Sequence, residues 1–254
     1  MKALRYMLGL LISLVAIEAS AWTAEQNKAI LMLAEENLSG KAKRKVVEIL
    51  GTELPAIKFE NKGKSKTRLN EEGKSVTTDE KDAIVRLEKA IATLSNRTAS
   101  AEERKAALRT AVETSVDIHC VANILIDKHR EADFMYGRDN GRPKHSRWFK
   151  VEDRGWENMW HKHFHKALGA FSAEMYIYDW HIATKSMAKN YKRQEVAPRA
   201  WAEKTGEIAL KALKIFQPKA IVDRIEIVRL EETSNQCMYD AAFHLALLLN
   251  KTLK

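Results

Sequence analysis

The chain has 254 residues, of which 45% are hydrophobic and 30% are charged, and its formal net charge is +9 at pH 7. After the first 21 residues, no stretch approaches the roughly 18 consecutive apolar residues of a membrane-spanning helix, which excludes an integral helical membrane protein. C-x-x-C metal pairs, a phosphate-cradling glycine loop, a dinucleotide fingerprint and a serine-histidine-acid arrangement are also absent.

The N-terminus has the pattern of a secretory signal peptide. A positive start precedes a short apolar run, Met7–Ile17, and Ala19-Ser20-Ala21 supplies the small residues of a cleavage site. The run is too short for a transmembrane helix. We expect residues 1–21 to be removed and the mature protein, residues 22–254, to be secreted or periplasmic with Trp22 as its first residue.

Helical periodicity covers most of the mature chain, and only four prolines and ten glycines occur in the whole sequence. The pattern predicts one all-α domain without internal repeats. Apolar residues recur at helical spacing in five segments: Ile30, Leu31, Ala34 and Leu38; Val46, Val47 and Leu50; Ile84, Leu87, Ile91 and Leu94; Leu108, Val112 and Val116; and Ala241, Ala242, Leu245, Ala246 and Leu249.

Local signals predict where several helices begin. Thr77–Glu80 and Ser100–Glu103 both have the capping-box pattern, and Pro198 precedes a helix that carries Trp201, Ile208, Ala212 and Ile215. The polar, glycine-containing segments Asn61–Ser75 and Asp133–Gly155 are predicted to be loops.

Four stretches in succession resemble the secreted zinc-dependent single-strand nucleases of the S-one/P-one type, within the phospholipase C/nuclease superfamily. They are residues 22–51, 82–119, 198–210 and 241–253, which begin WTAEQNK, DAIVRLEK, PRAWAEK and AAFHLAL. The resemblance implies a helical bundle of that superfamily. It also implies a metal-dependent endonuclease that hydrolyses phosphodiester bonds of single-stranded DNA or RNA.

The family's chemistry uses three clustered zinc ions, held by His and Asp side chains and by the N-terminal tryptophan through its amine and carbonyl. Such a cluster lowers the pKa of a bound water and stabilises charge that develops on a phosphate. The resemblance therefore implies that Trp22 and Asp117 are zinc ligands, with Asp117 as the candidate catalytic residue.

Most of the other family ligands are substituted in this chain. Asn27 stands where the family has a histidine, and Asn61 stands where it has an aspartate if Phe59 represents the preceding tryptophan. The family's central motif, His-x-x-x-Asp-x-His-Gln-Pro-x-His, here begins at Glu113 and ends at Asn123, so that only Asp117 and His119 match. No histidine occurs between Trp22 and His119.

The last family motif also lacks its ligands. In one register Trp160 and Phe164 replace its histidine and aspartate, whereas a shift by one residue places His161 and His165 at these positions. Two imidazoles four residues apart share a helical face and suit a zinc pair, although a hydrogen-bonded helix surface is the simpler interpretation.

The alternative to complete loss of the metal centre is a centre that holds fewer ions. Glu113 and Asp117 are four residues apart and either bind one cation together or form ordinary ion pairs. A rebuilt site with one ion would draw on these two residues and on His119, Asn123, His161 and His165. We expect the centre with three zinc ions to be lost, because a neutral amide is a poor substitute for imidazole or carboxylate.

The basic composition suits an anionic partner. Lys64 matches a family arginine that steadies the phosphate, and the lysine-rich segments near Lys41–Lys45 and Lys62–Lys74 suit single-stranded nucleic acid, nucleotides or another anionic ligand. A solvated basic surface is the other interpretation. Export permits a disulfide between Cys120 and Cys237 but two cysteines alone do not predict one.

Two hypotheses follow from the sequence. The first is a secreted relative of these nucleases whose active site has degenerated and which binds an anionic ligand. The second is an active phosphodiesterase with a rebuilt metal site.

Overall fold

The computed structural model describes seven segments of the chain: residues 22–59, 65–126, 135–137, 148–152, 172–184, 188–215 and 221–253. The proposed signal peptide lies outside them, so its removal stays a prediction. The description that follows concerns these segments.

The first two helices, α1 (Ala24–Glu36) and α2 (Gly40–Leu50), form where the periodicity predicts them. Thr23 begins α1 with a capping box that it shares with Gln26. Gly51 ends α2 with φ of 75°, a left-handed conformation that residues with a Cβ rarely adopt. Val46 and Leu50 are buried, whereas Val47 is 43% exposed, because the buried stripe follows i, i+4 and i+8 from Ala42.

The next two helices, α3 (Ala83–Ser95) and α4 (Ala101–Asp117), pack along each other. The capping box of α4 at Ser100 and Glu103 is confirmed. The predicted capping box at Thr77–Glu80 is wrong. Thr77 only closes a local turn, and Asp82 caps α3 by accepting the backbone N–H of Ile84 at 2.8 Å.

The second half contains α5 (Ala173–Thr184), α6 (Ala188–Tyr191), α7 (Pro198–Ile215) and α8 (Arg224–Thr252). The predicted apolar run of α8 is buried throughout and contacts both α1 and α4. This helix therefore provides the centre of the core around which the N-terminal helices pack.

Short strands occur where the sequence predicted only loops. β1 (Thr67–Leu69) lies within Asn61–Ser75 and pairs in parallel with β2 (Ile124–Ile126), with Thr67 opposite Ile124. Among the described residues of this segment, the loop prediction was wrong only at the three residues of β1, because the pairing joins segments far apart in the chain and a run of three residues carries no local strand pattern.

A second sheet contains β3 (Met135–Gly137), β4 (Trp148–Glu152) and β5 (Ile221–Asp223), all antiparallel in the order β3-β4-β5. β3 and β4 lie within Asp133–Gly155, so the loop prediction was wrong at these residues. β4 pairs with β5, which is distant in the chain, and both strands are too short to show a local pattern. The prediction of a mostly helical protein is nevertheless confirmed. Among the described helices, none is both long and apolar enough to cross a bilayer.

The two capping assignments lead to a first prediction. Ser100→Ala should lower the free energy of unfolding by about 1 kcal/mol, because it leaves the N–H of Glu103 without its hydroxyl acceptor at the start of α4. Thr77→Ala, the matched control, should cost clearly less because Thr77 caps no helix. Urea denaturation of both variants measures this difference, and equal losses would contradict the assignment.

A second prediction concerns the contact between α7 and β1. A Cβ added at Gly206 would collide with Cδ1 of Leu69, which is fully buried, whereas the nearest atom to a Cβ at Gly40 is 3.8 Å away. Gly206→Ala should therefore destabilise the protein by about 1–3 kcal/mol. Gly40→Ala should be neutral or slightly stabilising. Thermal unfolding of the two variants tests this, and an unchanged midpoint for Gly206→Ala would refute the close packing of α7 on β1.

Candidate functional site

The C-terminal end of α4 is buried in the core together with its acidic residues. Glu113 is 5% exposed and Asp117 is 1% exposed. They lie one turn apart on the same helical face. Removing a carboxylate from water is costly unless cations or hydrogen bonds compensate, so the surroundings of these two residues decide what the site can do.

Lys66 provides a positive charge close to this acidic end. It precedes β1, and Asn123 precedes β2, so the parallel register of Thr67 with Ile124 brings Lys66 alongside Asn123. Burial lowers the pKa of the Lys66 ammonium, while Cys120 and Asp117 partly oppose this shift. The structure thus places a partly buried lysine within the electrostatic reach of Asp117.

Trp22 and Asn123 also contact the end of α4. The indole N–H of Trp22, a residue that is 1% exposed, donates to the carbonyl oxygen of Val116 at 3.4 Å. Asn123 lies in a 3-10 turn after α4, and its amide donates to the carbonyl oxygen of Asp117 at 3.3 Å. Three positions that the resemblance associates with zinc, Trp22, Asp117 and Asn123, are therefore brought together.

Asn27 lies in the first turn of α1, where its backbone N–H donates to the carbonyl oxygen of Thr23. Its side-chain Oδ1 is buried and has no hydrogen-bond partner among the described residues. This position, where the family has a histidine, thus carries a neutral acceptor.

These donors do not fit a centre of three zinc ions. Asn27 and Asn123 are neutral amides, and the ammonium of Lys66 repels a cation. Within the described segments, no group of three or more His, Cys, Asp or Glu side chains could hold a metal ion. Six of the sequence candidates lie outside these segments, so their roles stay predictions: Asn61, Lys64, Trp160, His161, Phe164 and His165.

His119 belongs to a different arrangement from the one that the resemblance implied. Its Nδ1 lies 2.7 Å from the carbonyl oxygen of Ser115, and its Nε2 lies 2.7 Å from Nδ1 of His244 on α8. Both ring nitrogens are therefore engaged, and in this arrangement neither offers a lone pair to a metal ion.

The hydrogen-bond roles in this pair follow from its acceptors. A carbonyl oxygen only accepts, so Nδ1 of His119 carries a proton and Nε2 accepts from the N–H of His244. A neutral His244 then needs a donor at Nε2, where Oε1 of Gln194 lies 3.1 Å away. Rotating the Gln194 amide by 180° presents its NH2 group to this nitrogen and satisfies the whole chain of bonds.

Aromatic and charged groups enclose the histidine pair. Trp201 stacks on His244, with ring centroids 4.3 Å apart and an interplanar angle of 6°. Nearby, Asp240 accepts hydrogen bonds from Lys204 at 2.8 Å, from Gln236 at 2.7 Å and from Tyr191. Burial alone would raise the pKa of Asp240, but these bonds outweigh it and hold that pKa below its ordinary value.

Sequence reasoning missed this network, although one signal was present. Cys237, Asp240 and His244 follow at intervals of three and four, so they form a polar stripe on one face of the otherwise apolar end of α8. Cys237 and Cys120 are both buried free thiols, and the structure shows no disulfide between them.

The chain was compared with protein-family models and with the sequences of curated proteins, and neither comparison gives a match.

The histidine pair generates a prediction about pH. Burial lowers the pKa of His119 from 6.5 to about 4, and it lowers the pKa of His244 as well. Below pH 6.5 the unfolded chain thus binds protons that the folded chain does not, and the free energy of unfolding falls as the pH is lowered towards 4. Each histidine contributes a slope of at most about 1.4 kcal/mol per pH unit.

Urea denaturation between pH 4 and 7 tests this prediction. His244→Gln should flatten the dependence of stability on pH, because one buried titratable group is removed. His181→Gln, which changes an exposed histidine on α5, is the control for the substitution itself, because it removes no buried titratable group. A His244→Gln variant with an unchanged slope would contradict the prediction.

Proposed function

We propose that this chain is a secreted protein of the S-one/P-one nuclease type whose metal centre has degenerated, and that it binds an anionic ligand instead of cleaving it. The observation that carries the proposal is the electrostatic interaction of the partly buried Lys66 with the buried Asp117. The resemblance over four stretches of the chain supports the family part of the proposal.

A lysine at this position changes the chemistry of the site. An ammonium can balance the charge of a carboxylate, as a metal ion does, and so offset part of the cost of burying Asp117. It is not a Lewis acid and does not convert bound water into a hydroxide nucleophile, which is the step that a zinc cluster supplies in such hydrolases. The lysine thereby partly compensates the negative charge of Asp117, but it does not generate the hydroxide that would attack a phosphodiester.

The charge of the protein favours an anionic ligand. Residues 1–21 contribute +1 to the net charge of +9 through Lys2, Arg5 and Glu18, so the mature chain keeps +8, which attracts polyanions and raises the rate of their association. Single-stranded nucleic acid and nucleotides are the ligands that remain closest to the family's chemistry. Binding of this kind weakens steeply as salt is added, because each phosphate contact releases counterions.

Two measurements on the mature chain, purified without an affinity tag, test the proposal. We expect almost no bound zinc by elemental analysis and no cleavage of single-stranded DNA, together with salt-sensitive binding of the same DNA. One equivalent of metal with cleavage that a chelator abolishes would instead establish the phosphodiesterase alternative. Absence of binding even at low ionic strength would refute the binding function.

A substitution at Lys66 tests the structural basis of the proposal. Lys66→His replaces the ammonium that interacts electrostatically with Asp117 by an imidazole, a preferred zinc ligand, and should tighten zinc binding about tenfold. Lys74→His is the matched control, because Lys74 is exposed and pairs with Glu203 on α7. Isothermal titration with zinc measures both variants, and equal affinities would show that Lys66 does not lie at a former metal position.

A further inference from the structure

A groove with a volume of about 250 Å³ lies on the outer face of the β1–β2 pair. The segment that precedes α3 forms its opposite wall. The residues of the groove on which the inference depends are Lys66, Arg68, Thr77, Lys81, Asp82 and Leu125.

Strand geometry explains why two cations meet in this groove. In β1 the side chains of Thr67 and Leu69 are buried, whereas Arg68 is exposed. Alternation along an extended chain puts Lys66 on the same face as Arg68. Leu125 is the partner of Arg68 in the parallel register and supplies an apolar floor beside it.

The carboxylates of the groove are largely committed to backbone donors. Asp82 accepts the N–H of Arg68 and the N–H of Ile84, each at 2.8 Å, and thereby joins β1 to the start of α3. Asp79, which also lines the groove, accepts the N–H of Lys81 at 3.0 Å. These bonds hold the wall in place and take up some of the acceptor sites of the two carboxylates, whose negative charges are exceeded by one by the three cationic side chains of the groove.

Two cationic side chains of the groove are not paired in this way. Among the described residues, neither the guanidinium of Arg68 nor the ammonium of Lys81 has a hydrogen-bond or ion-pair partner. Lys66 adds a third positive group and links the groove to Asp117. The groove therefore offers the planar guanidinium of Arg68, with five donors, and the ammonium of Lys81 beside the apolar Leu125.

From this geometry we infer that the groove binds one phosphate group, either free or at the end of a nucleotide chain. The inference rests on the proposed function and assigns a location and a ligand chemistry to it. Arg68 binds two phosphate oxygens through its fork of N–H donors, and Lys81 neutralises part of the remaining charge. The volume accommodates the phosphate and its immediate substituent but not a folded nucleic acid.

Isothermal titration at low ionic strength tests the inference with three probes: inorganic phosphate, a short single-stranded DNA with a 5′-phosphate, and the same DNA without it. The double variant Arg68→Ala/Lys81→Ala should bind inorganic phosphate at least tenfold more weakly than the wild type. The double variant Lys41→Ala/Lys43→Ala removes the same charge from the exposed face of α2 and should bind as the wild type does. Urea midpoints equal to that of the wild type confirm that both double variants are folded.

The outcomes separate this inference from the proposed function. A groove for free phosphate binds inorganic phosphate and shows no preference for the phosphorylated DNA, whereas a groove for a chain end prefers the phosphorylated DNA. If the wild type binds DNA, and the Arg68→Ala/Lys81→Ala variant binds each probe with the affinity of the wild type, the groove assignment is wrong and the binding function stands. If the wild type binds no probe, both are wrong.

Discussion

The structure depends on the burial of the last turn of α4, because this turn carries Glu113 and Asp117 into the core. Buried carboxylates are tolerated only when charge and hydrogen bonding compensate for the lost water. A metal centre would be one solution, and the lysine at Lys66 is the one observed near Asp117. α8 shows the same principle, since Lys204 and Tyr191 satisfy the buried Asp240. A lysine thus pairs directly with the buried Asp240, and another lies within electrostatic reach of the buried Asp117.

The short strand β1 connects this buried end to the surface. Its pairing with β2 fixes the position of Lys66 relative to Asn123, and its alternation turns Arg68 to the outer groove. Gly206 lets α7 approach closely enough to hold Leu69 from the other side. A three-residue strand held by a glycine contact and by the bond from Arg68 N–H to Asp82 therefore relates the proposed ligand groove to the buried end of α4.

The helical elements could be predicted because their signals are local. Ser100 and Glu103 cap the same helix that their spacing indicates, and Pro198 begins α7. The equivalent pattern at Thr77 misled because it sits five residues before a stronger cap, Asp82, which also ties down β1. A capping motif in the sequence indicates that a helix can begin nearby. Tertiary contacts decide at which residue the helix begins.

The sequence by itself determined the helical class, the basic charge and the residue types at Asn27, Glu113 and Asn123, which the resemblance predicts to replace metal ligands. Only the tertiary structure decided which side chains surround these positions. Lys66, next to a strand that is distant in the chain, interacts electrostatically with Asp117, and His119 bonds to His244 across 125 residues of chain. Periodicity reports which face of one helix is apolar, but it does not report which distant segment packs there, because that depends on the mutual fit of all the elements.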